Sequence, residues 1–306
     1  MSRIHDALKK AEEEKMSGKS PATSPGAEQV HEPAAEAAVE VAAVAGAPLA
    51  SAVRLAEDHA ASAESITQRC TTVQWHPDRR VALFMDAQSQ VGPGMEEFRT
   101  LRARLFQMRT KKPLKTILIA SALPDEGKSF VAGNLAQVFA KQRGGKTLLL
   151  DCDLRKPQLH EMLGAPKGPG ISEYLQGKVD EFSIVQKSSY DDLFFIPGGE
   201  VTPSSPELIG NGRLKLLLKE LAPSFSWIVV DSSPTAPVSD ASRLAEFCDG
   251  VLLVVRAAST PASMADLAKR EFRDTPILGV VLNQVSRTET TYSKYYYTQY
   301  GQGKER

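Results

Sequence analysis

The chain has 306 residues, with 37 basic and 37 acidic side chains, so its formal net charge is zero. A balanced charge gives no general attraction to polyanions, and we expect no nucleic-acid partner. The three cysteines show no metal-ligand spacing, no segment is apolar enough to span a membrane, and no secretion signal is present. These features predict a cytoplasmic protein.

The first 72 residues predict two segments that precede the main domain. Residues 1–15 have a short amphipathic pattern that Ser2 can cap, with Ile4 and Leu8 on one stripe. Such a helix needs a docking surface, and the sequence leaves open whether it binds a partner or stays a solvated terminus. Residues 16–72 are rich in Ala, Glu, Ser and Pro and lack aromatic residues, which predicts a flexible linker.

A composition change at Val73 marks the start of the main domain, which we expect to span residues 73–290. The run Val81–Met85 either adds a strand or lies across the domain surface. The first strong helical pattern covers residues 94–108. It carries Glu96, Arg99 and Arg102 at intervals of three, which is typical of a solvated, salt-bridged helix face.

The most informative segment is TILIASALPDEGKSFVAGN, residues 116–134. An apolar strand leads into a loop ending Gly127-Lys128-Ser129, and a helical pattern follows, which is the layout of a phosphate-binding P-loop. Ala122 stands where the usual motif begins with glycine. The backbone N–H groups of the loop and the helix N-terminus favour an anion. The expected nucleotide contacts are Asp125, Glu126, Gly127, Lys128, Ser129 and Phe130.

Two further apolar strands end in aspartates. TLLLDCDLR, residues 147–155, carries Asp151 and Asp153 on the same side of an extended chain. WIVVDSSP, residues 227–234, ends its strand at Asp231, a position that orients Mg²⁺ in many nucleotide-binding proteins. Each of these motifs is individually weak, but together they predict one magnesium–triphosphate site at the carboxyl edge of a sheet.

Strand and helix patterns alternate through the rest of the domain, which predicts an α/β fold with a doubly wound, mainly parallel sheet. The predicted strands are 116–121, 146–151, 193–197, 227–231, 250–256 and 277–283. The predicted helices are 128–142, 157–163, 171–177, 213–221, 240–247 and 261–271.

One position bears on the identity of the nucleotide. The last predicted strand ends Asn283-Gln284-Val285-Ser286, where a guanine-reading loop would have Asn-Lys-x-Asp. Gln284 and Ser286 therefore disfavour GTP. The Asn283 amide can read adenine, although a polar residue that merely ends a strand has the same appearance.

The C-terminal segment, residues 291–306, predicts a flexible tail with phosphate-acceptor chemistry. It contains five of the seven tyrosines of the chain: Tyr292, Tyr295, Tyr296, Tyr297 and Tyr300. A packed core would not place its aromatics in a polar terminus. Clustered phenols on a mobile segment can enter a neighbouring active site, and their modification adds negative charge.

Taken together, these motifs resemble the bacterial tyrosine kinases (BY-kinases) of capsular and exopolysaccharide systems. The resemblance covers about residues 94–300. It depends on the P-loop, the Asp151-x-Asp153-x-Arg155 motif, the strand ending in Asp231, the Glu96-x-x-Arg99-x-x-Arg102 helix motif and the tyrosine cluster. Two departures are Ser232-Ser233 in place of Thr-Pro and Asp125 in place of a common glycine.

The resemblance implies a P-loop NTPase fold of the MinD/ParA type, with ATP and Mg²⁺ as cofactors. It implies autophosphorylation of the tail in trans, with Glu96, Arg99 and Arg102 as contacts within a ring of subunits. It also implies a membrane co-polymerase that activates the kinase at the inner face of the membrane, and a tyrosine phosphatase that reverses the modification.

In this interpretation, Lys128 and the loop amides hold the phosphates, and Ser129, Asp153 and Asp231 hold Mg²⁺. Asp151 is the expected base for the phenol, whose unperturbed pKa is about 10, but the roles of Asp151 and Asp153 can be exchanged. Two alternatives remain. One is a positioning ATPase of the MinD/ParA type, whose early P-loop lysine is missing at Ser121, Ala122 and Leu123. The other is a non-catalytic nucleotide-binding adaptor.

Overall fold

The computed structural model describes residues 69–78, 81–84, 94–142, 144–189 and 192–286. The predicted N-terminal helix, almost all of the predicted linker and the tyrosine tail lie outside these residues. In the part of the chain that the model describes, no helix combines the length and apolar character needed to cross a membrane.

Eight strands form one sheet in the order β1-β4-β5-β3-β6-β2-β7-β8. The strands are β1 (Thr71–Val73), β2 (Thr116–Ser121), β3 (Thr147–Asp151), β4 (Gln186–Ser188), β5 (Leu193–Ile196), β6 (Trp227–Asp231), β7 (Gly250–Arg256) and β8 (Ile277–Asn283). All neighbouring strands are parallel except β4 and β5, which pair antiparallel. The predicted mainly parallel, doubly wound sheet is thus confirmed.

Helices connect the strands. They are α1 (Met95–Arg109), α2 (Lys128–Ala140), α3 (Leu159–Leu163), α4 (Ile171–Leu175), α5 (Glu181–Ile184), α6 (Ser205–Gly210), α7 (Arg213–Leu221), α8 (Asp240–Ala245) and α9 (Ala262–Glu271). A short 3₁₀ turn, Ala222–Ser224, follows α7. Every predicted helix of the domain is present, and α5 and α6 are additional.

The central strands are apolar because both faces of the sheet are covered. In β2, Ile117 and Ile119 belong to the core that packs with α1 to α3, whereas Leu118 and Ala120 belong to the core on the other face. The helix after the P-loop, α2, is buried along most of its length between the sheet and α1. This burial fixes the position of the P-loop relative to the sheet.

The segment that leads into the domain packs onto it before α1. β1 pairs with β4, so Thr71 and Thr72, which the sequence assigned to the linker, are part of the sheet. Ala82 and Phe84 are buried, and residues 81–84 form turns rather than a strand. The side chains of Asn134 and Gln137 on α2 accept hydrogen bonds from Leu83 N at 2.9 Å and Phe84 N at 3.0 Å.

Candidate nucleotide and phosphoryl-transfer site

The P-loop connects the end of β2 to the start of α2 at the carboxyl edge of the sheet. Gly127 has φ +89°, a left-handed conformation that glycine adopts without strain. A Cβ atom at this position would lie 2.1 Å from Asn283 Nδ2, so the loop also needs glycine for space. Asp125 likewise has a positive φ of 60°.

Glu126 connects the P-loop to the segment that follows β7. Its Oε2 accepts a hydrogen bond from Leu123 N at 2.7 Å within the loop. Its Oε1 accepts a short hydrogen bond from the Thr260 hydroxyl. The Glu126 side chain is buried and stabilises the loop through these two hydrogen bonds. Its backbone N–H remains the group expected to contact phosphate.

Two amides at the end of β8 hold the other side of the loop. Asn283 Nδ2 donates to Glu126 O at 2.9 Å, and Gln284 Nε2 donates to Asp125 O at 3.3 Å. Asn283 thus lies directly against the P-loop, as expected for a nucleotide-site residue. Its observed hydrogen bond positions loop backbone, and adenine recognition by this amide stays a prediction.

The predicted lysine and acids meet in one buried cluster. Lys128 Nζ lies 2.8 Å from Asp153 Oδ2 and 4.0 Å from Asp231 Oδ1. Burial by itself would lower the pKa of Lys128, but the carboxylates of Asp231, Asp153 and Asp151 outweigh it and raise the pKa. The ammonium group is therefore charged at neutral pH, as a phosphate-binding lysine must be.

Asp151 lies beside Asp231, because these residues are register partners at the ends of β3 and β6. Asp151 is fully buried. Its Oδ2 accepts hydrogen bonds from Gln158 N and Leu159 N at 3.1 and 3.0 Å, and its Oδ1 accepts one from Asp153 N at 3.3 Å. Burial and the Asp231 carboxylate raise the pKa of Asp151 to about 8.

Asp153 differs from Asp151 in its partners. It is 5% exposed, and besides Lys128 it accepts hydrogen bonds from the Ser233 hydroxyl at 2.8 Å and from Lys156 N at 3.2 Å. The Ser233 contact was not anticipated from the sequence. The sequence did hold a clue to this contact, namely Ser232-Ser233 in place of the Thr-Pro of the resembled family. A serine in place of proline adds a hydroxyl donor beside the acids.

Asp231 provides the test of whether the cluster suits a cation. Both of its carboxylate oxygens are buried, and neither accepts a hydrogen bond of ordinary geometry from the described residues, although the Ser129 hydroxyl and the Ser232 N–H lie close enough to influence the group. Burial raises the pKa of Asp231, while Lys128 and the Ser129 hydroxyl lower it. A buried carboxylate with unused lone pairs fits Mg²⁺, which prefers oxygen ligands.

No group of three or more acidic, histidine or cysteine side chains in the described ranges forms a metal cage by itself. This composition still fits Mg²⁺, since magnesium in phosphate sites takes one or two carboxylates and completes its octahedron with phosphate oxygens and water. The predicted ligands, Asp231, Asp153 and Ser129, include two carboxylates, which agrees with this pattern.

The predicted subunit contacts occupy two environments on α1. Glu96 and Arg99 form a surface pair, with Arg99 Nη1 3.1 Å from Glu96 Oε2. Arg102 instead donates from Nη1 to Val138 O of α2 at 3.0 Å. Arg102 therefore helps to attach α1 to the P-loop helix within one subunit, and Glu96, 76% exposed at its side chain, is the most accessible of the three.

Comparison with known proteins places this site in a family. Residues 117–304 match the family model described as the CobQ/CobB/MinD/ParA nucleotide binding domain. The chain is 32% identical over 205 residues to tyrosine-protein kinase YwqD of Bacillus subtilis, a match that covers 66% of this chain and 86% of that protein. It is 35% identical over 199 residues to the succinoglycan biosynthesis transport protein ExoP of Rhizobium meliloti, covering 63% of this chain but only 25% of ExoP.

Among solved structures, the kinase domain of the Escherichia coli tyrosine kinase ETK matches with a TM-score of 0.62 and 29% identity. That match covers 66% of this chain and 82% of the ETK domain. The nucleotide-binding domain match, the similarity over most of YwqD and the acid cluster at the P-loop lead to one conclusion: the chain belongs to the bacterial tyrosine kinases of the CobQ/CobB/MinD/ParA nucleotide-binding fold.

Proposed function

We propose that this protein is an ATP-dependent tyrosine kinase that phosphorylates tyrosines of its own C-terminal tail in trans. The observation that carries the proposal is the convergence of Lys128 with Asp151, Asp153 and Asp231 at the mouth of the P-loop. Phosphoryl transfer requires positioning and neutralisation of charge more than covalent chemistry by the protein, and this cluster provides both.

Each group has a proposed part in the reaction. Lys128 and the N–H groups of Gly127 to Phe130 hold the phosphates of ATP. Ser129, Asp153 and Asp231 hold Mg²⁺, which when bound neutralises charge on the phosphate oxygens. The tyrosine oxygen attacks the γ-phosphorus, the bond to the ADP oxygen breaks, and the phenolic proton passes to a carboxylate.

Asp151 is the proposed proton acceptor. Its raised pKa, about 8, makes the ionised carboxylate a stronger proton acceptor than an ordinary aspartate. The alternative, with Asp153 as the base, is favoured because a substrate phenol can reach Asp153 more easily. Asp151 is fully buried and hydrogen-bonded to backbone amides, whereas Asp153 is slightly exposed and hydrogen-bonded largely to side chains.

The wider context is part of the same proposal. Relatives include a protein named for succinoglycan biosynthesis transport, so we propose a role in polysaccharide synthesis and export. We further propose a ring of subunits with contacts through Glu96, Arg99 and Arg102, and recruitment from the cytoplasm to the membrane by an activating co-polymerase. A tyrosine phosphatase would then reset the tail.

The test is an anti-phosphotyrosine blot after incubation of the purified protein with Mg·ATP. We expect a strong signal from the wild type and none from Lys128→Met or from a chain lacking residues 291–306. Phosphotyrosine that persisted in purified Lys128→Met would contradict the proposal. A positioning ATPase would hydrolyse ATP without any phosphotyrosine, and a non-catalytic adaptor would do neither.

A further inference from the structure

A cavity of about 300 Å³ opens at the amino-terminal edge of the sheet, opposite the P-loop. Four of its lining residues lead into neighbouring central strands: Lys115 precedes β2, Lys146 precedes β3, Asp192 precedes β5 and Ser226 precedes β6. Strands β2, β3 and β6 also carry the P-loop, Asp151 and Asp231 at their other ends. The cavity is thus built at the start of the central strands of the sheet.

The cavity collects positive charge. Arg109, Lys115 and Lys146 line it, with Asp192 as the acid among the lining residues. Lys115 Nζ donates one hydrogen bond, to Ala222 O at 2.9 Å, and keeps two further donors. Burial and the nearby Arg109 lower the pKa of Lys115, and Asp249 only partly offsets this. Lys115 and Arg109 therefore repel each other, and an anion between them would relieve that repulsion.

Arg109 is held in place by aromatic packing. Its guanidinium carbon lies 4.7 Å from the centre of the Trp227 ring, and Phe139 stacks on the same indole with ring centroids 4.4 Å apart. A guanidinium stacked in this way loses less rotational freedom when it binds a ligand. Its planar set of N–H donors matches the geometry of a phosphate.

Hydroxyl and carboxylate groups complete the lining. Ser224 and Ser226 line the cavity together with Asp192. The Ser224 hydroxyl is buried and has no hydrogen-bond partner among the described residues. An acid and the Ser226 hydroxyl next to a cation cluster are not the lining expected for a bare inorganic anion, but they can hydrogen-bond the hydroxyls of a polyol.

We propose that this cavity binds a phosphorylated sugar. The phosphate lies between Arg109, Lys115 and Lys146, and the sugar hydroxyls face Asp192 and Ser226. The volume agrees with this class of ligand, since small-molecule sites begin at about 300 Å³. This site is separate from the nucleotide site and independent of the proposed kinase activity.

Glucose 1-phosphate is the probe, titrated into the full chain with the P-loop saturated by Mg·ADP so that the nucleotide site cannot take up the phosphate. Trp227 beside Arg109 reports binding by fluorescence, and calorimetry gives the affinity. We expect saturable binding that Lys146→Gln and Arg109→Gln each weaken about tenfold, the equivalent of one charge-assisted hydrogen bond. Lys112→Gln, an equal charge change at an exposed residue outside the lining, should alter the affinity less than about twofold.

Two further probes identify the ligand class. Inorganic phosphate and phenyl phosphate should bind more weakly than glucose 1-phosphate, and Asp192→Asn should reduce the preference for the sugar ester. The proposal is overturned if glucose 1-phosphate shows no saturable binding, if Lys112→Gln weakens it as much as Lys146→Gln, or if either other probe binds equally well. Arg109 also packs on Trp227, so Arg109→Gln could disturb the fold. In that case the affinity of Lys146→Gln for glucose 1-phosphate is the deciding measurement.

Discussion

The two edges of the sheet shift the pKa of a lysine in opposite directions. At the carboxyl edge, Lys128 is surrounded by acids, and its pKa is raised although burial opposes this. At the amino edge, Lys115 lies near Arg109, and burial lowers its pKa. The same strands connect the two environments. This difference shows that burial alone does not decide the protonation state of a buried lysine. The neighbouring charges decide whether its charged form is stabilised or destabilised.

The largest effects should come from the acids at the carboxyl edge. If Asp151 is the base and Asp153 a metal contact, Asp151→Asn should lower kcat about 10³-fold with little change in Mg²⁺ affinity. Asp153→Asn should instead raise the Mg²⁺ concentration needed for half-maximal activity. Steady-state phosphorylation assays across a magnesium series measure both. The reverse pattern would assign the base to Asp153.

A second test adds one methyl group to the P-loop. Gly127→Ala should strongly weaken Mg·ATP binding, because its Cβ would meet Asn283 Nδ2 and its positive φ would be strained. Gly212→Ala is the matched control: Gly212 also has a positive φ, 84°, but nothing described lies within 4 Å of the added atom. We expect only the backbone cost of about 1–2 kcal/mol in Gly212→Ala, with ATP affinity retained. Equal ATP affinities in the two variants would show that the contact with β8 does not shape the loop.

A third test uses pH to measure the strain among the acids. The pKa of Asp151 is raised to about 8 and that of Asp231 is also raised, whereas an unfolded aspartate titrates near 4. The fold thus favours the neutral carboxyls. The resulting stabilisation is complete below about pH 4 and is lost as the pH rises through about 8.

Asp231→Asn removes one of these charges permanently. We compare the fall in Tm between pH 6 and pH 9, without metal or nucleotide. The fall should be about 2–4 °C smaller for the variant than for the wild type, which corresponds to about 1 kcal/mol in the free energy of unfolding of a domain of this size. Asp266→Asn changes an exposed acid on α9 and should follow the wild type. If the Tm of all three proteins fell by the same amount between pH 6 and pH 9, the acid cluster would carry no such strain.

The smallest effects concern α1. Arg99→Ala removes an exposed ion pair with Glu96, and that pair contributes at most about 0.5 kcal/mol to the stability. Arg102→Ala leaves Val138 O without its charged donor and should cost about 1–2 kcal/mol. If Arg99 makes subunit contacts, Arg99→Ala should still reduce phosphorylation of a Lys128→Met acceptor by a tail-deleted donor. Undiminished transfer in that mixed assay would remove Arg99 from the proposed interface.

The sequence predicted most of the fold because its central strands are long, apolar and followed by recognisable helices. It missed β1 and β4, which have three residues each and include polar side chains such as Thr71, Gln186 and Lys187. Their pairing depends on tertiary contacts that no local pattern records. The additional helices α5 and α6 are likewise only a few residues long.

At the site, the sequence identified the chemical groups but not their supports. Lys128 and the three aspartates follow strands in a recognisable motif, so their convergence could be predicted from topology. The connections from Glu126 to Thr260 and from Gln284 to Asp125 join residues more than 130 positions apart. Only the folded chain reveals such pairs, because neither partner belongs to a motif that anticipates the other.

The attachment of β8 to the P-loop also limits the geometry of any assembly. Ser286, the last described residue, follows the amides that hold the P-loop, so Ser286 lies near the predicted nucleotide site. Tyr300 lies fourteen positions beyond Ser286, and a fully extended chain of that length reaches about 50 Å. Transfer between subunits therefore requires that one catalytic centre lie within about 50 Å of a neighbour's Ser286, which sets an upper bound on the spacing of the copies.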